Sequence, residues 1–316
     1  MAMEGPARKI VVLGTGGTMA GTAVRPEDHT GYRAAQLGVQ ALVAAVPALQ
    51  RWPLEAEQVA QIDSADMTHA VWQRLVQRAA AHLAREDVGA IVVTHGTDTL
   101  EETAYLLHRL LAPAKPLVLT AAMRPATALQ ADGPQNLLDA VTLAAEPGAR
   151  GVLAVMAGQV WAGAELRKRH PYRLEAFDAG DAGALGAIEQ GALRRWRDWP
   201  AGTPLGAVLV EADPARWPRV EIVTSHGGSD GRLVDAVCAQ GVDGLVVAGV
   251  GNGQVHAGLG AALQRARGQG VVVAVTTRCG SGVVVGTGAG AYGALTPVQA
   301  RIELMLGLLA QRRQAR

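Results

Sequence analysis

The stretch Val92–Tyr105, VVTHGTDTLEETAY, decides the fold. Gly89 to Val93 reads as a short buried strand, a β-branched apolar run entered through a glycine. After it stand Thr94, His95, Gly96, Thr97, Asp98 and Thr99, six residues that cannot extend a hydrophobic core. Leu100, Ala104, Leu107 and Leu111 then recur at helical spacing, with Glu101, Glu102, His108 and Arg109 on the other face. Thr99 followed three residues later by Glu102 is a capping-box pattern, so a helix is predicted to start there. Hydroxyls and a carboxylate thus lie between a strand end and a helix N-terminus, where open α/β sheets bind ligands. An ordinary capped βα loop satisfies the same pattern, and this segment alone leaves both readings open.

Near the N-terminus, Ile10 to Leu13 is another strand, followed by Gly14, Thr15, Gly16, Gly17, Thr18, Met19, Ala20 and Gly21. TGGT at the first strand end and HGTDT at a later one together resemble the two signature motifs of the bacterial-type L-asparaginase family. Two hydroxyl-rich loops of this composition form a specific pair, unlike a lone glycine-rich loop. The resemblance continues through Gly31–Leu49, AMRP (Ala122–Pro125), ADGPQNLLDAV (Ala131–Val141) and AGVGNG (Ala248–Gly253), and covers essentially the whole chain.

Composition is compatible with that family. The chain has 316 residues, 49% of them hydrophobic, which suffices for one or two domains with a sizeable core. With one Phe, the core must be built from Val, Leu, Ile and Ala. A net charge of +1 gives no electrostatic case for nucleic acid or an acidic membrane surface. Cys238 and Cys279 make neither a disulfide framework nor a metal spacing, and Cys238 falls in a helical pattern as a core residue. The N-terminus has no long apolar run before Gly14, and charged residues or glycines interrupt every other apolar stretch. A cytoplasmic protein is the default, periplasmic or secreted if a signal peptide was removed.

Strands and helices alternate along the chain, which predicts a parallel sheet. Helices are expected over Gln36–Val46, Asp66–Glu86 and Gly133–Ala145, and strands over Gln58–Ile62, Leu117–Thr120 and Gly151–Val155. Trp196–Pro218 carries four prolines and no sustained periodicity, as a domain connection would. Beyond it, strands at Val220–Thr224, Gly244–Ala248 and Val271–Val275 alternate with helices, the last from Pro297. The expected architecture is two open α/β domains with mainly parallel sheets. The larger spans residues 1–196 with both threonine motifs, residues 197–218 connect, and residues 219–316 form the smaller.

An amidase needs a nucleophile, a group to take its proton and donors for the oxyanion. Thr15 lies between Gly14 and Gly16, where backbone can approach a substrate closely and offer N–H groups, although a turn-stabilising Thr fits the same place. The resemblance implies that Thr15 is the acylated threonine and that Tyr32, on a mobile loop, shares a proton with it. It also implies that Thr97, Asp98 and Lys168 form a second triad, Lys168 being placed by ungapped alignment of VMAGQVWAGAELRK. Without it, AELRKRHPYR would read as a solvated basic run. The same resemblance implies that Asp98 binds a substrate ammonium and Ser64 its α-carboxylate. Gly14, Gly16, Ala65, Gly96 and Thr97 would line the site, and Asn252 would arrive from a neighbouring subunit. Three departures stand out. Ala65 occupies the place of a frequent Gln, Ala164 that of a frequent Arg, and Thr277–Tyr292 lacks the carboxylate that supports the tyrosine in periplasmic relatives.

Other motifs fail on their contexts. Gly227–Gly231 fits G-x-S-x-G, yet a nucleophile elbow needs Asp and His later in the chain, and Ser229 reads as a helix N-cap. The dinucleotide fingerprint fails because Met19 stands where its third glycine belongs. His95 and His226 have no partners at metal spacing, and His95 fits a loop-ordering role through hydrogen bonds. The resemblance implies an L-asparaginase with minor glutaminase activity. It would use a threonine nucleophile and no cofactor or metal, as a homo-oligomer (dimer or tetramer) with sites shared between subunits. Its rivals are the amidase subunit of a tRNA-dependent amidotransferase, which normally carries an extra N-terminal domain, a non-catalytic amino-acid sensor, and a dinucleotide-binding oxidoreductase.

Overall fold

The structure, a computed structural model, describes residues 8–286 and 290–315. Residues 1–7 of the N-terminal stretch and residues 287–289 within Thr277–Tyr292 therefore lie outside the described residues. The chain divides into two compact units, the first ending at Ala207 and the second beginning at Val208, inside the proline-rich stretch.

The first unit is built on β1 (Lys9–Gly16), α1 (Val39–Ala44), β2 (Leu54–Ile62), α2 (His69–Ala84), β3 (Val88–Thr94), α3 (Leu100–Leu111), β4 (Pro116–Thr120), α4 (Gly133–Ala144) and β5 (Gly151–Met156). β1 pairs in parallel with β2 on one side and β3 on the other, and β4 and β5 continue the parallel order outward. The central strands read as unbroken apolar runs because helices cover both faces. Ile10, Val12, Ala90, Val92 and Val118 pack with Val39 and Leu42 of α1 and with Leu137, Ala140 and Val141 of α4. Edge strand β2 instead carries Glu55, which ion-pairs with Arg85, and Glu57, which ion-pairs with Arg78 and hydrogen-bonds His82, a charged edge that resists further strand pairing.

The chain leaves β1 for β2 on one side and returns through α2 to β3 on the other. This β2–β1–β3 order makes the carboxyl ends of β1 and β3 the place where successive loops diverge, the topological switch point of an open sheet. Both threonine motifs leave from those two ends.

Three antiparallel strands extend the sheet beyond β5: β6 (Gln159–Ala162), β9 (Gly186–Glu189) and β10 (Ala192–Arg195). Between them, β7 (Arg167–Lys168) and β8 (Phe177–Asp178) form a separate small ladder. None of these five was read from the sequence. Helix α1 is also shorter at both ends than the expected Gln36–Val46, and a separate 3-10 turn over Pro47–Arg51 follows it.

The second unit is a three-stranded parallel sheet of β11 (Val220–Thr224), β12 (Gly244–Gly249) and β13 (Val272–Thr277). Val234 of α5 (Arg232–Ala239) and Leu259, Ala262 and Leu263 of α6 (Ala257–Gly268) pack with Val223, Leu245 and Val247. Helix α7 (Pro297–Gln314) also packs on the sheet and starts with a capping box between Thr296 and Gln299. Cys238, on α5, is partly buried against this core rather than within it. Ser229 does not cap α5. Its hydroxyl accepts the His226 N–H, and the cap residue is Gly231.

Candidate active site

Glycine brings the two motif loops into backbone contact. A Cβ on Gly17 would fall 2.4 Å from the Gly96 Cα, and one on Gly96 would fall 2.4 Å from the Ser64 Oγ. No L side chain fits either place, and Gly17 also has φ +77°. Gly14 and Gly16 serve packing as well: their missing side chains make room for Val39 and for the Ile62 carbonyl.

Thr15, at the end of β1, is 2% exposed, and its hydroxyl donates to the Thr94 carbonyl at 3.0 Å. Thr97 is buried too, and the Lys168 ammonium of β7 donates to its Oγ1 at 2.9 Å and to an Asp98 carboxylate oxygen at 2.5 Å. Lys168 is largely covered, whereas the Asp98 side chain is 56% exposed and faces solvent. A covered ammonium thus touches a buried hydroxyl, while its counter-ion stays open to a ligand.

Ser64 ties the strand end of β2 to this loop. Its hydroxyl accepts the Asp98 N–H at 3.2 Å, which leaves the hydroxyl hydrogen available for donation, and its carbonyl accepts from Thr99 Oγ1 at 2.9 Å. The capping box expected at Thr99 is therefore not formed: α3 starts where predicted, but the Thr99 hydroxyl is spent on Ser64. Ala65 is exposed beside it, its N–H accepted by the Asp63 carboxylate.

Tyr32 lies half-buried over Gly21, and its phenol is paired with Thr18 Oγ1 at 2.6 Å rather than with Thr15. Burial pushes the phenol above its ordinary value, the Thr18 hydrogen bond opposes this, and the carboxylates of Asp63 and Asp98 push it further up. Tyr32 accordingly holds its proton firmly here. Asn252 is in the second unit, on the turn after β12. Its amide bonds twice to one backbone residue, donating to the Val285 carbonyl at 2.9 Å and accepting the Val285 N–H at 2.8 Å.

Comparison with known proteins follows the same residues. The family description "Asparaginase, N-terminal" matches residues 9–200, and "Glutaminase/Asparaginase C-terminal domain" matches residues 219–316. A probable periplasmic L-asparaginase of Haemophilus influenzae is 34% identical over 314 residues, 95% of this chain and 88% of that protein. The chain belongs to the asparaginase family. A glutaminase-asparaginase of Pseudomonas fluorescens is 35% identical over 86% of this chain and 76% of its own length. The crystal structure of a probable cytoplasmic L-asparaginase from Campylobacter jejuni superimposes with a TM-score of 0.89 at 34% identity, covering 96% of this chain and 95% of that one.

Within this asparaginase fold, two residues near the site escaped the sequence. Thr18 is the partner of Tyr32, although it stands inside TGGT and could have been singled out with Thr15. Glu101, in the first turn of α3, accepts the backbone N–H of Lys168, and burial followed by the charge of Glu102 raises its carboxyl to about 7. Its helical position had placed it on the solvent face. Among the described residues, no group of three or more His, Cys, Asp or Glu could hold a metal ion, and no helix is long and apolar enough to cross a membrane.

Proposed function

We propose that this chain is an L-asparaginase that hydrolyses the side-chain amide of L-asparagine through an acyl-enzyme on Thr15, with glutamine as a minor substrate. The observation that carries the mechanism is the Lys168–Thr97–Asp98 cluster, held beside the Thr15 loop by the Gly17–Gly96 contact. Asp98, open to solvent, takes the substrate ammonium, and Ser64 donates to the α-carboxylate. Thr15 Oγ attacks the amide carbon and the carbonyl oxygen becomes an oxyanion, met by backbone N–H groups of the glycine-flanked turns. The proton released from Thr15 passes through Tyr32, whose high affinity for its own proton makes it a relay rather than a free base, and ends on the amide nitrogen of the substrate. The C–N bond then breaks and ammonia leaves. Water attacks the aspartyl ester, giving a proton to Thr97 as Thr97 hands its own to Lys168, which must first have lost its extra proton to act as an amine, and Thr15 regains a proton as the ester C–O bond breaks to give L-aspartate. No cofactor enters this sequence. The protein works in the cytoplasm as a homo-oligomer, Asn252 of one copy completing the site of another.

The test is ammonia release from L-Asn, L-Gln and their D-forms. L-Asn is expected to be fastest and L-Gln slow. No ammonia from any of the four, with folded protein, would leave a binding protein instead of an enzyme. Assembly is tested by mixing Thr15→Ala with Asn252→Ala. Activity in mixed oligomers well above the sum of the parents supports shared sites, and no recovery with mixed oligomers formed removes them.

A further inference from the structure

His95 opens the HGTDT loop and takes no part in the chemistry above. It is fully buried, as is Thr103 of α3, and Trp72 of α2 is nearly so. The three form a line that ends on the motif backbone. Trp72 Nε1 lies 2.9 Å from Thr103 Oγ1, Thr103 Oγ1 lies 3.0 Å from His95 Nε2, and His95 Nδ1 lies 2.8 Å from the Gly96 carbonyl oxygen.

Donor and acceptor logic fixes the hydrogens along this line. The Gly96 carbonyl can only accept, so Nδ1 must carry a hydrogen. The indole can only donate, so Thr103 Oγ1 accepts from Trp72. Burial pushes the imidazole down to about 4, opposed by its bond to Gly96, so the ring is neutral and Nε2 is a bare acceptor. The Thr103 hydroxyl hydrogen then points at Nε2. Every polar hydrogen on the line has one place to go. The result is the Nδ1–H tautomer, the minor form of free histidine.

We propose that His95 is a positioning residue for Thr97: locked as the Nδ1–H tautomer by Thr103 and Trp72, it pins the Gly96 carbonyl and so sets the direction of the peptide carrying Thr97. The pinned peptide has little freedom elsewhere, because Gly96 is pressed between Gly17 and Ser64. A turn of its carbonyl would shift Thr97 against Lys168 and push on the Thr15 loop together. This deepens the proposed function and rests on its role for Thr97, but the tautomer stands independently of any activity.

Two measurements test it. Long-range proton–nitrogen NMR of protein labelled with nitrogen-15 in histidine should show one neutral imidazole, absent from His95→Asn, protonated at Nδ1 and unchanged from pH 8 down to about 5. An Nε2–H signal for that ring overturns the proposal, even in a fully active enzyme. If instead no substrate is turned over but the Nδ1–H signal is present, the proposed function has failed and the tautomer assignment has not.

The second measurement compares replacements. His95→Asn places an amide N–H where Nδ1 stood and should keep kcat within about tenfold, whereas His95→Gln reaches past Gly96 and should lower kcat about 30-fold or more, with KM changed less than about threefold. Equal kcat in the two variants would make His95 a packing residue. Should neither fold, Thr103→Val and Thr103→Ser serve: the hydroxyl-free variant should lose kcat severalfold and the serine variant should not. Equal kcat in these two would equally reduce the line to packing.

Discussion

The two threonines of the site live in opposite conditions. Thr97 is wired: a covered ammonium donates to its oxygen, a carboxylate holds that ammonium, and Glu101 accepts the backbone N–H behind it. Thr15 is parked: its hydroxyl points into the Thr94 carbonyl, and the tyrosine expected to serve it is paired with Thr18. On the proposed mechanism, the half of the site that handles water has its hydrogen bonds already made, whereas the half that attacks the amide must release one hydrogen bond and receive Tyr32 from another. On that mechanism the first step requires Thr15 and Tyr32 to exchange their present partners.

The largest effect expected breaks both halves alike. Thr15→Val and Thr97→Val should each lower kcat by more than about 10³-fold, as removal of a nucleophile or its proton path does. They should differ in burst kinetics: Thr97→Val can still acylate and release a first equivalent of ammonia, and Thr15→Val cannot. Thr15→Val retaining a tenth of wild-type activity would end the acyl-enzyme assignment.

Next comes the wiring itself. Lys168→Met should lower kcat by about 10²–10³-fold, and Lys168→Arg should not restore it, because a guanidinium keeps its charge without giving up a proton. Fully active Lys168→Arg would reduce Lys168 to a charge that orients Asp98, and the contrast between the two threonines would lose its chemical meaning.

Smaller again is the parking of Tyr32. Tyr32→Phe should lower kcat by about 10–10²-fold, while Thr18→Val should cost only about threefold if Thr18 merely holds the phenol between turnovers. Equal losses from the two variants would put Thr18 on the proton path and make the Thr15 half wired after all.

The last effect is on stability. The folded state raises Glu101 from 4.5 to about 7, so it favours the neutral carboxyl, and the stability this contributes is complete below the unfolded value and lost as pH rises through 7. Glu101→Gln keeps an oxygen for the Lys168 N–H and removes the ionisation. It should be more stable than the parent at pH 8 by about 1–3 kcal/mol, with the gap closing towards pH 5, read from denaturant midpoints at the two pH values. A gap that is constant with pH would mean that Glu101 titrates alike in the folded and the unfolded chain.

Legibility followed the physics of each element. Buried parallel strands announce themselves as apolar runs because both faces are covered, and β1, β3, β4 and β5 were all readable for that reason. The antiparallel extension was hidden: β6, β9 and β10 are four residues each, and two of their turns use Ala157 and Gln190 at positive φ, where glycine or asparagine is the usual signal. Thr99 shows local propensity overruled, since its hydroxyl serves Ser64, 35 residues away, rather than its own helix. Glu101 was placed on the solvent face because helical periodicity knows nothing of β7, which covers it. Thr15, Thr97, Asp98 and Lys168 were singled out by motif, yet which of them touch depended on pairings that no local pattern contains.

The contact between Gly17 and Gly96 also bears on when this site comes into being. It joins stretches 79 residues apart, and the strand that brings the second loop home, β3, is made only after β2 and α2. A growing chain thus holds the first loop for a long time with nothing to lean on, and the two threonines become neighbours in the same event that zips β3 onto β1. On that account heat or denaturant should extinguish turnover and sheet structure together.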